Sequence, residues 1–143
     1  KVGLVEQLVR FYDLETWHKK KLDEANATDY FTTLMERGNI ITISQNNLLL
    51  GYVEFWRLNY GQFGRIVCCE EFSAIQEDVQ TGNIAYVANT FIRQEYRKGQ
   101  VYKMLRDRFF EANKACEYFV GEARRKKVGL IKVFKRDKIL ERI

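Results

Sequence analysis

Leu4, Val5, Leu8, Val9 and the Phe11/Tyr12 pair recur at helical spacing, so the chain is expected to begin with an amphipathic helix packed on something larger. A second helix is predicted over 29–37, with Thr28 as its N-cap and Gly38 just past its end. Between them Trp17, His18 and Lys19 to Lys21 form a polar stretch with no period. From Asn39 the period becomes two. Ile40, Ile41, Thr42 and Ile43 lead into the turn-forming Gln45-Asn46-Asn47, and the apolar run 48–58 follows, which reads as a β-hairpin. On its second strand Leu50, Tyr52, Glu54, Trp56 and Leu58 alternate with Leu49, Gly51, Val53 and Phe55. Both sets are largely apolar, so this strand belongs in the middle of a sheet.

Residues 59–64, with two glycines and an asparagine, read as a loop, and 65–80 admit either a helix or a strand plus loop. A strand is predicted over 84–92, a polar turn over 93–98, and an amphipathic helix over 100–116, with Val101, Met104, Leu105, Phe109 and Ala112 on one stripe. A short buried strand at 118–121 follows. Leu130, Ile131 and Phe134 then suggest a last helix, and 139–143 the start of another strand. No repeat, low-complexity tract or interdomain linker interrupts the pattern, so 1–143 reads as one domain.

Composition narrows the class. With 143 residues, 46% apolar and 14% aromatic, the chain can bury a single core, and no apolar run approaches the ~20 residues of a membrane span. Cys68 and Cys69 are neighbours and Cys116 makes the count odd, which fits structural thiols in a reducing compartment. Residues 1–8 lack the apolar core of a secretory signal, so the expected location is cytoplasmic. His18 is the single histidine, which leaves no standard ligand spacing for a metal and no partner for a nucleophilic Cys68 or Cys69. Proline is absent, which removes one turn signal. The net charge of +5 gathers late, in Arg124, Arg125, Lys126, Lys127, Lys132, Lys135, Arg136 and Lys138. On a helix about 22 Å long these would form a dense basic surface, open to nucleic acid or an acidic partner, or a solvated face.

The chemically informative unit is IAYVANTFIRQEYRKGQVYKMLRDRFF, a strand, a polar turn with Gly99, then a helix. A helix start presents unpaired N–H groups and the positive end of the dipole, Gly99 allows close backbone approach, and Arg97, Lys98 and Lys103 add charge. Such a turn suits a phosphate.

This order of elements, continued to Arg136, resembles the cofactor-binding half of the GCN5-related N-acetyltransferases (GNAT). Ile92, Glu95, Tyr96, Arg97, Lys98, Gly99 and Leu105 match that family's P-E-Y-R-G-K-G-x-G-x-x-L loop, and KVGLIKVFKR is similar to its fourth helix. The likeness extends over about 39–138. It implies an α/β (α+β) fold with a mixed, mostly antiparallel sheet flanked by helices, residues 1–38 forming a helical N-terminal part.

It also implies acetyl-CoA or another acyl-CoA as donor. The donor would be held by Phe91, Ile92, Arg97, Lys98, Gly99, Gln100, Val101, Tyr102 and Lys103, with its pyrophosphate on the amides of 98–103 and its pantetheine along 89–92. The acceptor would be a primary amine of a protein or small molecule, contacting 17–30. Val101 stands where the family has a second small residue, and is expected to narrow the pyrophosphate approach. Phe134 stands where it usually has a tyrosine that protonates the leaving thiolate.

Removing a proton from an amine of pKa near 10.4 calls for a base. Glu54, between Tyr52 and Trp56 on one strand face, is the first candidate and Glu122 the second. Gly99 and the Arg97-Lys98 pair favour an N-acyltransferase. Val101 and Phe134 favour a catalytically inactive binding module of the same fold that uses residues 124–138 on nucleic acid, and a nucleobase acceptor would combine the two.

Overall fold

A computed structural model describes residues 3–15, 21–125 and 128–135. Five strands, β1 (Ile40–Gln45), β2 (Leu48–Leu58), β3 (Ile84–Ile92), β4 (Tyr118–Arg125) and β5 (Val128–Lys135), form one sheet in sequence order. Only β3 and β4 run parallel, and parallel neighbours need a crossover, here supplied by a helix, α4 (Gln100–Ala112). The other helices are α1 (Leu4–Leu14), α2 (Glu24–Glu36) and α3 (Tyr60–Val67). The mixed, mostly antiparallel sheet flanked by helices is the architecture expected from the sequence.

The hairpin between β1 and β2 turns on Asn46 and Asn47, both at positive φ (52° and 65°), a region that asparagine tolerates. Gly38, past the end of α2, also takes a positive φ of 76°. On β2 the simple alternation fails at one residue. Ile43 pairs with Gly51 and Ser44 with Leu49, so Leu50 is an extra residue in the ladder. Leu50 therefore joins Val53 and Phe55 on the α4 side, and Leu49 joins Tyr52 on the other, opposite to the expected grouping.

The α4 side of the sheet is filled by Val101, Leu105 and Phe109 against Val53, Phe55 and Phe119. The other side is covered at one end by Leu8, Phe11, Tyr12 and Phe31 of α1 and α2. At its other end Leu34, Ala74 and Val79 pack with Leu58, Ile84 and Tyr86.

Four expectations on element boundaries are corrected. The second helix starts earlier, at Glu24, because Asp23 accepts from Asn26 N at 2.8 Å; Thr28 lies inside and bonds back to Glu24 O. The supposed loop 59–64 is the start of α3, where Asn59 and Gln62 form a capping box that outweighs two glycines. The helix over 100–116 ends at Ala112. The helix suggested by Leu130, Ile131 and Phe134 is a strand, β5, paired antiparallel with a β4 that runs on to Arg125. Val128, Ile131, Val133 and Phe134 favour strands and Gly129 disfavours a helix, while an apolar run this short carries no decisive period. With it falls the helical basic surface: Arg124, Arg125, Lys132 and Lys135 belong to a hairpin. The expected strand at 139–143 lies outside the described residues.

Candidate functional site

The parallel ladder between β3 and β4 joins only Ile84 with Tyr118, Ala85 with Phe119 and Tyr86 with Val120. Beyond that, β3 runs on to Ile92 paired with β2 alone, while β4 continues to Arg125 paired with β5. The sheet thus opens into a wedge, and beyond Tyr86 the edge of β3 facing it is not paired with β4 in the described residues. At the wedge β3 is bulged. Glu54 pairs with Asn89 and Phe55 with Val87, so Ala88 is the extra residue. A cavity of about 390 Å³ fills the α4 side of this opening, with Val87 and Thr90 of β3, Phe119 and Gly121 of β4, and Tyr102 and Phe109 of α4 in its walls.

α4 begins at Gly99, an extended N-cap residue with no side-chain cap. Its first-turn amides are therefore left to solvent or a ligand, and no acidic side chain occupies that turn. A Cβ at Gly99 would come no closer than 3.7 Å to its nearest neighbour, Tyr96 O. Arg97, Lys98, Gln100, Tyr102 and Lys103 are exposed around it.

Val101 is buried and points away from this turn. Its Cγ1 would lie 3.1 Å from a Cβ on Gly51, so the missing side chain of Gly51 makes room for it. The expectation that Val101 narrows the approach to the turn is thus corrected. Phe91 and Ile92 also bury their side chains, Phe91 on Phe11 at 4.8 Å between ring centroids and Ile92 on the α4 side, so what they offer a ligand is backbone. The carbonyl of Ile92 accepts from Arg97 Nε at 2.9 Å, and the Arg97 guanidinium lies 5.3 Å from the Phe91 ring.

The face opposite the cavity holds two buried carboxylates. Glu54 Oε2 accepts from Tyr30 OH at 2.5 Å and from Trp56 Nε1 at 2.8 Å, and both bonds fall on one oxygen. Burial pushes Glu54 up to about 7 from 4.5; the two hydrogen bonds hold it down, and the charge of Glu15 adds to the rise. Glu15, at the end of α1, is fully buried; its Oε1 accepts from Tyr52 OH at 2.5 Å and its Oε2 from Asn89 Nδ2 at 2.8 Å. Asn89 Nδ2 also donates to Tyr52 OH at 2.7 Å. Burial and the neighbouring carboxylates raise both Tyr30 and Tyr52 well above the usual phenol value, so both keep their protons.

Glu54 was legible from the sequence, whereas Glu15, Tyr30 and Asn89 were not. Nothing in a lone Glu after an amphipathic helix marks it as buried. Glu122 sits on β4 opposite Ile131, in the part that has left β3, and Phe134 pairs with Phe119. Residues 16–20, which include the first four positions of the expected acceptor segment 17–30, lie outside the described residues. Cys68 and Cys69 are exposed and Cys116 is buried. Among the described residues no cluster of His, Cys, Asp and Glu could hold a metal, and no helix is long and apolar enough to cross a membrane.

No family model matches the sequence, and no curated protein does. Solved structures do match. One is the GphF GNAT-like decarboxylase in complex with isobutyryl-CoA, with a TM-score of 0.59 and 12% identity, covering 86% of this chain and 63% of that one. Another is the loading GNATL domain of CurA from Lyngbya majuscula (TM-score 0.59, 10% identity, 86% and 61% covered). The chain has the GNAT fold. A ribosomal-protein-alanine N-acetyltransferase from Brucella melitensis aligns at a TM-score of 0.55 and 11% identity, covering 82% of this chain and 67% of that one. The chain spans about three fifths of the length of the first two. Its GNAT fold departs from the sequence-based expectation at the C-terminal side, where β5 stands in place of a helix.

Proposed function

We propose that this chain binds an acyl-CoA in the wedge between β3 and β4 and transfers the acyl group to a primary amine. The observation that carries the reading is the opening of the sheet after Tyr86, with an uncapped helix start and basic residues beside it and an apolar cavity within. The pyrophosphate binds the amides of 98–103, where dipole and charge act together. Pantetheine lies along 89–92 on the edge of β3 that faces the wedge, in place of the strand bonds that β4 no longer makes there. Structural neighbours solved with isobutyryl-CoA and with acetyl-CoA support the donor class.

The acceptor comes from the opposite face. Its ammonium loses a proton to Glu54, whose Oε1 has no protein donor among the described residues and whose pKa of about 7 leaves it near half-ionised at neutral pH. The neutral nitrogen attacks the thioester carbonyl, a C–N bond forms, the C–S bond breaks, and the second proton of the nitrogen passes to the departing sulfur, which leaves as the thiol. Glu122 is the alternative base.

Replacing Gly99 by Asp tests the donor site. Asp is a better N-cap than Gly by a few tenths of a kcal/mol, so the fold is kept, while its charge stands where the pyrophosphate belongs. Calorimetry with acetyl-CoA should show binding to the wild type and at least tenfold weaker binding to Gly99→Asp, at an unchanged melting temperature. Equal affinities remove this site.

A further inference from the structure

Asn89 is bulge-adjacent on the one strand whose edge faces the wedge, yet its side chain points to the other face. There it donates to Glu15 at 2.8 Å and to Tyr52 at 2.7 Å, while Tyr52 donates to Glu15 at 2.5 Å. Three elements meet in this triangle: the C-terminal end of α1, the middle of β2 and the bulged stretch of β3. Glu15 and Tyr52 are both fully buried. A β-bulge disrupts the ladder locally, so where β3 is bulged and no longer paired with β4 its backbone is held in part by what its side chains bond.

We propose that Glu15 is a positioning residue: through Tyr52 and Asn89 it clamps the bulge of β3 and so aims the wedge-facing edge of that strand at the acyl donor. The inference rests on the donor reading above. It assigns a role in donor recognition to the residue that ends α1, an element that packs on the opposite side of the sheet from the cavity.

The hydrogen-bond polarity of the triangle makes it testable without removing bulk. In Glu15→Gln one carboxylate oxygen becomes an NH₂ group, which meets the Asn89 NH₂ donor to donor. In Asn89→Asp a carboxylate meets the Glu15 carboxylate. The double variant Glu15→Gln/Asn89→Asp restores donor to acceptor with the direction reversed and the net charge unchanged. Acetyl-CoA affinity is measured by calorimetry for the wild type, each single variant, the double variant and Tyr52→Phe, which deletes only the hydroxyl, with melting temperatures alongside.

Each single variant is expected to bind acetyl-CoA about tenfold more weakly, Tyr52→Phe about fivefold, and the double variant to return to within about threefold of wild type. Affinity that falls and returns out of proportion to the melting temperatures is the readout that a merely structural role would not move, since a contact that serves only the fold changes the melting temperature and leaves the affinity of the folded protein as it was. If the wild type binds acetyl-CoA and the single variants bind it equally well, the clamp is overturned while the donor site stands. A double variant no better than the worse single one overturns it too. If the wild type itself does not bind, the donor reading fails and takes the clamp with it.

Discussion

Replacing Glu54 by Gln should make the protein more stable at alkaline pH and abolish its activity. In the folded state burial lifts this carboxyl from 4.5 to about 7, so the native protein holds the proton more tightly than the unfolded chain. Raising the pH from 4.5 to about 7 therefore pulls a proton from the native state that the unfolded state has already given up, and stability falls through that window. At 1.36 kcal/mol per pH unit the loss amounts to about 3 kcal/mol at most once the pH exceeds 7. Gln keeps an oxygen able to accept from Tyr30 OH and Trp56 Nε1, the two bonds that fall on Oε2, and carries no charge to bury. Thermal unfolding of both proteins at pH 5, 6, 7 and 8 should show melting temperatures that lie closest at pH 5, are clearly apart at pH 6 and reach their full separation between pH 7 and 8. By pH 8 Glu54→Gln should melt higher by up to about 10 °C for a domain of this size. A variant that is equally or less stable at pH 8 would mean that Glu54 ionises without strain, and the case for it as a tuned base would lose its physical ground.

Two further outcomes test the packing that shapes the site. A Cβ at Gly82 would lie 2.1 Å from Leu58 C and 2.3 Å from its O, a backbone clash, so Gly82→Ala should cost at least about 3 kcal/mol in urea unfolding. At Gly51 the added methyl meets Val101 Cγ1 and Phe91 O at 3.1 Å, so Gly51→Ala should cost about 1–2 kcal/mol. Combining it with Val101→Ala should cost at least 0.5 kcal/mol less than the sum of the two single changes.

The elements that could be read from the chain were those with a long period of one kind: α1, the β1–β2 hairpin, β3 and α4 all sit close to where alternation or helical spacing puts them. The errors have separate physical causes. α3 was hidden because Gly61 and Gly64 look like breakers, while the Asn59–Gln62 capping box is a three-residue signal easily missed between them. β5 was hidden because eight residues of Val, Leu, Ile, Phe, Gly and Lys fit two periods, and only the pairing with β4 decides. Leu50 changed face because a bulge adds one residue to a period of two. At the site, Gly99 and its basic neighbours were legible because a turn is local, and so was Glu54, because a carboxylate amid apolar strand neighbours stands out. The triangle of Glu15, Tyr52 and Asn89 spans 74 positions of sequence and has no local signature.

The distribution of charge about the wedge then bears on which face each substrate uses. Arg97, Lys98 and Lys103 stand exposed about the start of α4, where the dipole adds its positive end. On the opposite face Glu15 and Glu54 are buried among tyrosines and a tryptophan, and Glu54 is near half-ionised at neutral pH. In the proposed reaction the anionic CoA is drawn to the first face and the ammonium to Glu54. The sheet itself keeps the two fields apart, since Val53 and Phe55 close the cavity side of β2 while Glu54 between them faces the other way. In the proposed reaction the thioester reaches the opening of β3 from β4 from the basic side and the amine arrives from the acidic side. The raised pKa of Glu54 is the energetic consequence of keeping that carboxylate dry until a cation comes to it.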